Sequence, residues 1–175
     1  MKRRWLSLNQ TGLLLLVLGF SLIGSGCTLN AFERADEGQA EALVGTPSPE
    51  FSPEQVVRLQ LEALQHNDNR NKGIEAAFNF ASPGNKKYTG PLSRFIKMLK
   101  APPYNNMLNY KSVEYDPVEI SGDSAVQRVK LTGADGHAII YIFMLSKQTE
   151  APYQDCWMTD GVMIEPTKEL PKGQA

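Results

Sequence analysis

The sequence predicts an α+β fold in which three N-terminal helices pack on one face of a bent antiparallel sheet. Two observations lead to this prediction. Apolar residues recur at helical spacing up to about residue 100, whereas after Tyr104 they recur at every second residue, as in strands. Turn residues then separate the strand segments, which favours antiparallel neighbours joined by short connections.

The first helix has a complete set of start signals. Ser52 is the expected N-cap, Pro53 the first helical residue and Gln55 the partner in a capping box. Apolar residues then recur with the helical period until the polar run 66–69. We therefore expect this helix to end near Gln65.

Two shorter helices are expected next. One spans 74–81 and stops before Ser82-Pro83-Gly84, because the residue before a proline disfavours helical geometry. The other begins after Gly90, with Pro91 in its first turn, and ends at 101–103. Its apolar residues lie at i, i+3, i+4 and i+7, so it should be amphipathic and pack on another element.

Five later segments have the two-residue period of strands. They are 110–115, 118–120, 125–131, 137–145 and 156–164, with turns at 121–123 and 134–136. Residues 51–165 are therefore expected to form a single α+β domain. The segment 27–50 is rich in acids and lacks apolar periodicity, which predicts a flexible tether, and 166–175 is expected to be a disordered tail.

The N-terminus has the order of a secretory signal peptide, predicted over residues 1–26. Lys2, Arg3 and Arg4 precede the apolar run 13–23, and small residues come next, before Cys27. The run is about half of the ~20 residues that a membrane-spanning helix needs. Export with cleavage is therefore favoured over an uncleaved anchor, and the predicted location is the periplasmic, lumenal or extracellular side of a membrane.

The segment 22–27 (LIGSGC) resembles the lipobox of bacterial lipoproteins. The resemblance implies a lipid on Cys27, which would make the membrane a partner through the N-terminus. Alternatively, Cys27 is the first residue of a secreted protein and is free to pair with Cys156. With 2 cysteines in all, the chain lacks the Cys-x-x-Cys pattern of zinc sites, and we predict neither a metal site nor a cofactor.

The charge balance argues against nucleic-acid binding. The chain has 18 Lys and Arg against 19 Asp and Glu, and without residues 1–26 the formal charge is −4. One region is basic, however, because no acid lies between Glu75 and Glu114. The cations of this stretch are Lys86, Lys87, Arg94, Lys97, Lys100 and Lys111. They form either a docking surface for anionic lipid or an acidic partner, or an ordinary solvated face.

Several segments together resemble a small domain family of unknown function, known from photosynthetic and other bacteria and from plant plastids. The segments are VVRLQLEAL (56–64), FNFASPGN (78–85), TGPLSRF (89–95), APPY (101–104) and CWMTDGV (156–162). The resemblance implies a cone-shaped, cystatin-like fold similar to that of the nuclear transport factor two and ketosteroid isomerase group. It implies no activity, because members of that group are isomerases, dehydratases or non-catalytic interaction modules.

In such a cone the helices and the concave sheet face enclose a pocket, where a few polar groups among apolar ones mark a binding site. The candidate ligand-binding residues are Tyr110, Arg128, Tyr141, Trp157 and Asp160. A desolvated Asp160 would be suited to act as a base with a tyrosine as donor. Alternatively, Asp160 and Gly161 are a strand-end or bulge feature and the aromatic residues belong to the core.

No catalytic constellation is recognisable. His66 and His137 lie beside predicted turns, far apart, and no serine or cysteine has a base near it in a known motif. The leading hypothesis is a non-enzymatic, lipid-anchored or secreted domain that binds a protein partner or a small apolar ligand. The alternative is a small-molecule isomerase or dehydratase that uses Asp160.

Overall fold

The computed structural model of the protein describes residues 45–165. The predicted signal peptide, the lipidation candidate Cys27, the tether up to residue 44 and the tail 166–175 lie outside the described residues. Residues 45–50, the end of the predicted tether, contact the domain: the Asn79 side chain donates a 3.1 Å hydrogen bond to the carbonyl of Gly45. No helix within 45–165 has both the length and the apolar character needed to cross a membrane.

The described residues form four α-helices and a five-stranded antiparallel sheet, which confirms the α+β class. The helices are α1 (Pro53–Gln65), α2 (Lys72–Asn79), α3 (Pro83–Thr89) and α4 (Leu92–Leu99), and a 3-10 helix comes next at Tyr104–Met107. The strands are β1 (Ser112–Tyr115), β2 (Glu119–Ser121), β3 (Ser124–Thr132), β4 (Ala138–Lys147) and β5 (Trp157–Ile164).

The predicted three helices correspond to α1, α2 and α4, and α3 is an addition. Ser82 and Pro83, which predict the end of a helix, also begin α3. The Ser82 hydroxyl accepts a 3.1 Å hydrogen bond from the N–H of Asn85, and Pro83 occupies the first helical position. The same signal begins α1, where Ser52 and Gln55 form the predicted capping box with hydrogen bonds of 2.8 and 3.2 Å.

Helices α1 and α2 pack closely at one glycine. A Cβ at Gly73 would lie 2.0 Å from the carbonyl oxygen of Ala63, so no larger residue fits there without moving a helix. From α1, Val56, Val57 and Leu61 are fully buried in the core. Helix α1 thus contacts the sheet with aliphatic side chains, and α2 packs on α1.

The sheet has the order β1-β3-β4-β5, with β2 also paired to β3. Strand β3 alternates between exposed and buried residues, as expected for a sheet covered on one side. We call the helix-covered side the inner face. Its fully or nearly buried residues include Val129, Leu131, Tyr141, Phe143 and Leu145. On the other side, the outer face, Arg128 lies opposite Ile142, which lies opposite Met163.

Strand β5 contains a bulge that positions the candidate site. Met144 pairs with Gly161 and Leu145 pairs with Thr159, so Asp160 is the extra residue. Thr159 also binds the α2–α3 connection: its N–H donates to the carbonyl of Phe80, and its carbonyl accepts from the N–H of Ser82, both at 2.9 Å. These two bonds fix the start of α3 beside the bulge.

Candidate functional site

A cavity of about 260 Å³ lies between α3, α4, the 3-10 helix and β5. Its interior is apolar, and the residues that form it are Leu64, Ala77, Phe95, Leu99, Met107 and Phe143, all of them buried. The cavity also includes exposed residues, since Tyr88 is 79% exposed and Asp160 is exposed as well. We place the mouth of the cavity at these two residues.

The polar groups inside the cavity are neutral and already hydrogen bonded. The amide nitrogen of Gln60 donates to the carbonyl of Ala77 at 2.9 Å, and the Thr159 hydroxyl donates to the Gln60 amide oxygen at 2.6 Å. These bonds join α1, α2 and β5 through a single buried side chain. A buried polar group that has hydrogen-bond partners stabilises the fold, and these bonds fix the Gln60 side chain in place.

The polar groups nearer the mouth are also engaged. Asn85 donates to the carbonyl of Thr159 at 3.0 Å and accepts from the Thr89 hydroxyl at 3.1 Å. The Tyr104 hydroxyl donates to the carbonyl of Val162 at 3.2 Å. The walls of the cavity are therefore fixed by hydrogen bonds to the β5 backbone.

The Tyr88 hydroxyl and the Asp160 carboxylate are the exceptions. Among the described residues, Asp160 is the only one lining the cavity that has a carboxyl, amino or guanidinium group. Within residues 45–165, no hydrogen bond or ion pair engages its carboxylate. The bulge therefore presents one free acceptor group beside an apolar hollow.

The other four predicted ligand-binding residues do not line this cavity. Tyr141 is fully buried on the inner face, and its hydroxyl donates a 2.7 Å hydrogen bond to the carbonyl of Pro103. Tyr110 is 4% exposed, and burial raises the pKa of its hydroxyl. Trp157 begins β5 and is partly buried against the core. These three aromatic residues have the core role that the alternative interpretation gave them.

Arg128 lies on the outer face, away from the cavity. Its guanidinium forms ion pairs with Asp116 and Glu165 and is 44% exposed. A second hollow, of about 320 Å³, includes Arg128, Asp116 and Ile142. Since the charge of Arg128 is already compensated by two carboxylates, this hollow offers less to a ligand than the cavity of the inner face.

Sequence reasoning missed the residues that α3 contributes, namely Asn85, Tyr88 and Thr89. A signal was present, because Ser82-Pro83 repeats the Ser52-Pro53 pair that begins α1. The helix itself has no apolar period and buries no residue, so the periodicity on which the other helices depend is missing.

Within residues 45–165, the remaining reactive groups do not form a second site. Cys156 is buried, and burial raises the pKa of its thiol. His66 and His137 are both exposed. Among residues 45–165, no group of three His, Cys, Asp or Glu side chains is placed to hold a metal ion.

Comparison with known proteins supports the family resemblance at a coarse level. Searches of curated proteins and of solved structures gave no match. The model of one family matches residues 48–171, which includes the helices, the sheet and the cavity. Because that match covers more than half of the chain, the protein belongs to this family, which is described as a domain of unknown function (DUF4864).

Proposed function

We propose that this protein is a non-enzymatic binding domain that holds a small, largely apolar ligand in the cavity between α3, α4 and β5. One observation carries the proposal: an apolar interior of about 260 Å³ with a single unpaired carboxylate, that of Asp160, at its mouth. Apolar pockets with a few polar groups are the usual form of small-molecule sites.

The geometry also restricts the chemistry of the ligand. The volume lies just below the range of about 300–1,000 Å³ for typical pockets, so the ligand is small. Apart from the Tyr88 hydroxyl at the mouth, the neutral polar groups of the walls are bonded to one another or to the backbone. Asp160 accepts hydrogen bonds only, and we therefore expect one hydroxyl or amino group at the exposed end of the ligand.

The neutral fluorescent amine N-phenyl-1-naphthylamine tests the proposal, because it joins two apolar ring systems to one N–H donor. We expect its emission to rise in the presence of the protein. Val162 lines the cavity, and Val162→Trp fills part of it, which should weaken binding by at least about tenfold, a loss of about 1.4 kcal/mol. Asp160→Asn should weaken it by about fivefold through loss of a charge-assisted hydrogen bond.

Met163 provides the matched control. It is the next residue of β5, is 50% exposed and lies on the outer face, so Met163→Trp adds the same ring on the opposite side. Thermal unfolding of each variant shows whether the fold is retained. Unchanged probe binding in a folded Val162→Trp variant, or equal loss in Met163→Trp, would place the probe elsewhere and contradict the proposal.

A second candidate function is an isomerase or dehydratase. The Asp160 carboxylate lines the same cavity as Tyr88, whose hydroxyl could serve as the donor, and a base with a donor is the combination that proton transfer needs. This hypothesis predicts that the protein catalyses solvent deuterium exchange into an enolisable ketone, and that Asp160→Asn abolishes the exchange although the folded variant still binds the probe with the roughly fivefold weaker affinity expected above. Equal exchange rates with the two proteins would exclude Asp160 as the base.

Export and lipid attachment at Cys27 complete the proposal. The order of charged, apolar and small residues before Cys27 supports them. The intact mass of the protein from its native membrane fraction distinguishes a diacylated chain from an unmodified one.

The relation to the nuclear transport factor two and ketosteroid isomerase group is part of the same proposal. The placement of the cavity between the helices and the inner face of the sheet supports it, since the resemblance implies a pocket in that position.

A further inference from the structure

We infer that the surface formed by α3 and α4 docks on an anionic lipid bilayer, with the mouth of the cavity at its edge. We call this surface the basic face and define it by Lys87, Tyr88, Arg94, Lys97 and Lys100, all exposed. The inference goes beyond the proposed function, which brings the protein to a membrane through Cys27 alone.

The first step is the charge of the basic face. Among residues 45–165, none of its four cations has a carboxylate within ion-pair distance, whereas Arg58, Arg128 and Lys130 each have one. The stretch 76–113 contains no acid at all. The positive charge of this face is therefore uncompensated on a chain whose formal net charge is −1.

The second step is the geometry of the two helices. Helix α4 buries Phe95 and Leu99 and, at about 100° per residue, this turns Arg94 and Lys97 away from the core. Helix α3 contacts α4 and buries no residue, so it lies on the surface of the fold. Exposed cations thus lie on, or directly after, two helices that contact each other.

Two cations of the basic run do not belong to this face. The ammonium of Lys86 donates a 3.0 Å hydrogen bond to the carbonyl of Asn79 and lies over the rings of Phe78 and Tyr153. Partial burial lowers its pKa. Lys111 comes just before β1, and its N–H donates to the carbonyl of Thr132 in the sheet.

The third step distinguishes a bilayer from an acidic protein. Tyr88 follows Lys87 on α3 and is 79% exposed. Exposed aromatic rings beside cations are typical of surfaces that enter the headgroup layer of a membrane. Tyr88 and Met98 also line the cavity, so its mouth opens at the edge of the same face. Asp160 is the one carboxylate among the described residues that line the cavity, and the four cations of the basic face outnumber it.

Hydrogen exchange of the full-length chain on vesicles tests the inference, because it reports which residues touch lipid even when the N-terminal segment binds as well. We expect protection of residues 83–100 on phosphatidylcholine vesicles that contain phosphatidylglycerol, and none on pure phosphatidylcholine. The double variant Arg94→Gln, Lys97→Gln should lower the ratio of docked to free domain by roughly 30-fold, since two cations near an anionic surface are lost. High salt should lower it too.

The matched control is the double variant Arg70→Gln, Lys72→Gln, which removes the same number of charges from the exposed α1–α2 connection and the first residue of α2. It should keep the protection of residues 83–100. Equal protection on neutral vesicles, no protection on anionic vesicles, or equal loss in both double variants would overturn the inference. Because all four substituted side chains are exposed, unfolding is not expected, and a thermal scan checks this.

Discussion

The two faces of the sheet use polar residues in opposite ways. On the inner face, Thr159 and Tyr141 are neutral, buried and hydrogen bonded, and so is Gln60 of α1, which packs on that face. On the outer face they are charged, half exposed and paired with carboxylates, as with Arg128 and Lys130. The difference arises from desolvation, which penalises buried charges far more than buried dipoles that have partners.

This difference also indicates where stability and function lie. When a mutation breaks a buried hydrogen bond, the remaining partner is left unsatisfied. When a mutation breaks an exposed ion pair, water solvates the remaining charged group. The cavity lies on the inner side and has one unpaired charge, that of Asp160, at its mouth. The inner side therefore combines the interactions that hold the fold with the group that is free to bind.

The sharpest test of the comparison uses two neighbours on β4. Phe143 is 2% exposed on the inner face, and Ile142 is partly exposed on the outer face. We expect Phe143→Ala to lower the free energy of unfolding by about 3–5 kcal/mol, because it leaves a cavity in the core. Ile142→Ala should cost about 1 kcal/mol. Urea unfolding measures both, and similar losses would mean that the outer face is also covered.

Tyr141→Phe should have a smaller effect, and one that depends on pH. Loss of the hydrogen bond to the carbonyl of Pro103 should cost about 1.5 kcal/mol near neutral pH. Burial raises the pKa of Tyr141 above its usual 10.0, so the folded state holds a proton that the unfolded state releases in alkali. This contribution is fully present below pH 10.0 and is lost as the pH rises towards the folded-state pKa.

The measurement is urea unfolding of both proteins across that pH range. The stability of the wild type should fall more steeply than that of the variant above pH 10.0, so that the difference between them shrinks. A difference that stays constant would show that the pKa of Tyr141 is the same in the folded and unfolded states, which would contradict the expected effect of burial on this hydroxyl.

Periodicity predicts the parts of the fold that bury apolar side chains. The prediction that the first helix begins at Ser52 and ends near Gln65 is confirmed, as is the order of the strands along the chain. Periodicity misses helix α3 because its residues bury nothing, and the signal at its start is also the signal of a helix end. A serine before a proline can end one helix and begin the next. Helical geometry is disfavoured at the serine itself because a proline follows, and the serine hydroxyl caps the helix after it.

The site is less predictable than the fold. The sequence points to Asp160, with a bulge as one interpretation, and the structure places it in a bulge at the cavity. The sequence points equally to Tyr110, Tyr141 and Trp157 as polar aromatic residues of strands. The alternation of residues along a strand, however, does not distinguish a residue that faces a cavity from one that the core encloses. That distinction depends on how α3 and α4 cover the sheet, which local sequence does not specify.

The smallest expected effect is that of Arg128→Gln, although this change removes two ion pairs at once. The side chains of Arg128, Asp116 and Glu165 are 44%, 51% and 35% exposed, so water and salt screen their attraction. The midpoint of thermal unfolding should fall less than for Tyr141→Phe, and the difference from the wild type should vanish at high salt. A fall as large as that of Phe143→Ala, unaffected by salt, would mean that the ion pairs of the outer face hold Glu165 and the end of β5 in place. The two faces would then differ in the chemistry of their polar residues but not in how much those residues contribute to stability.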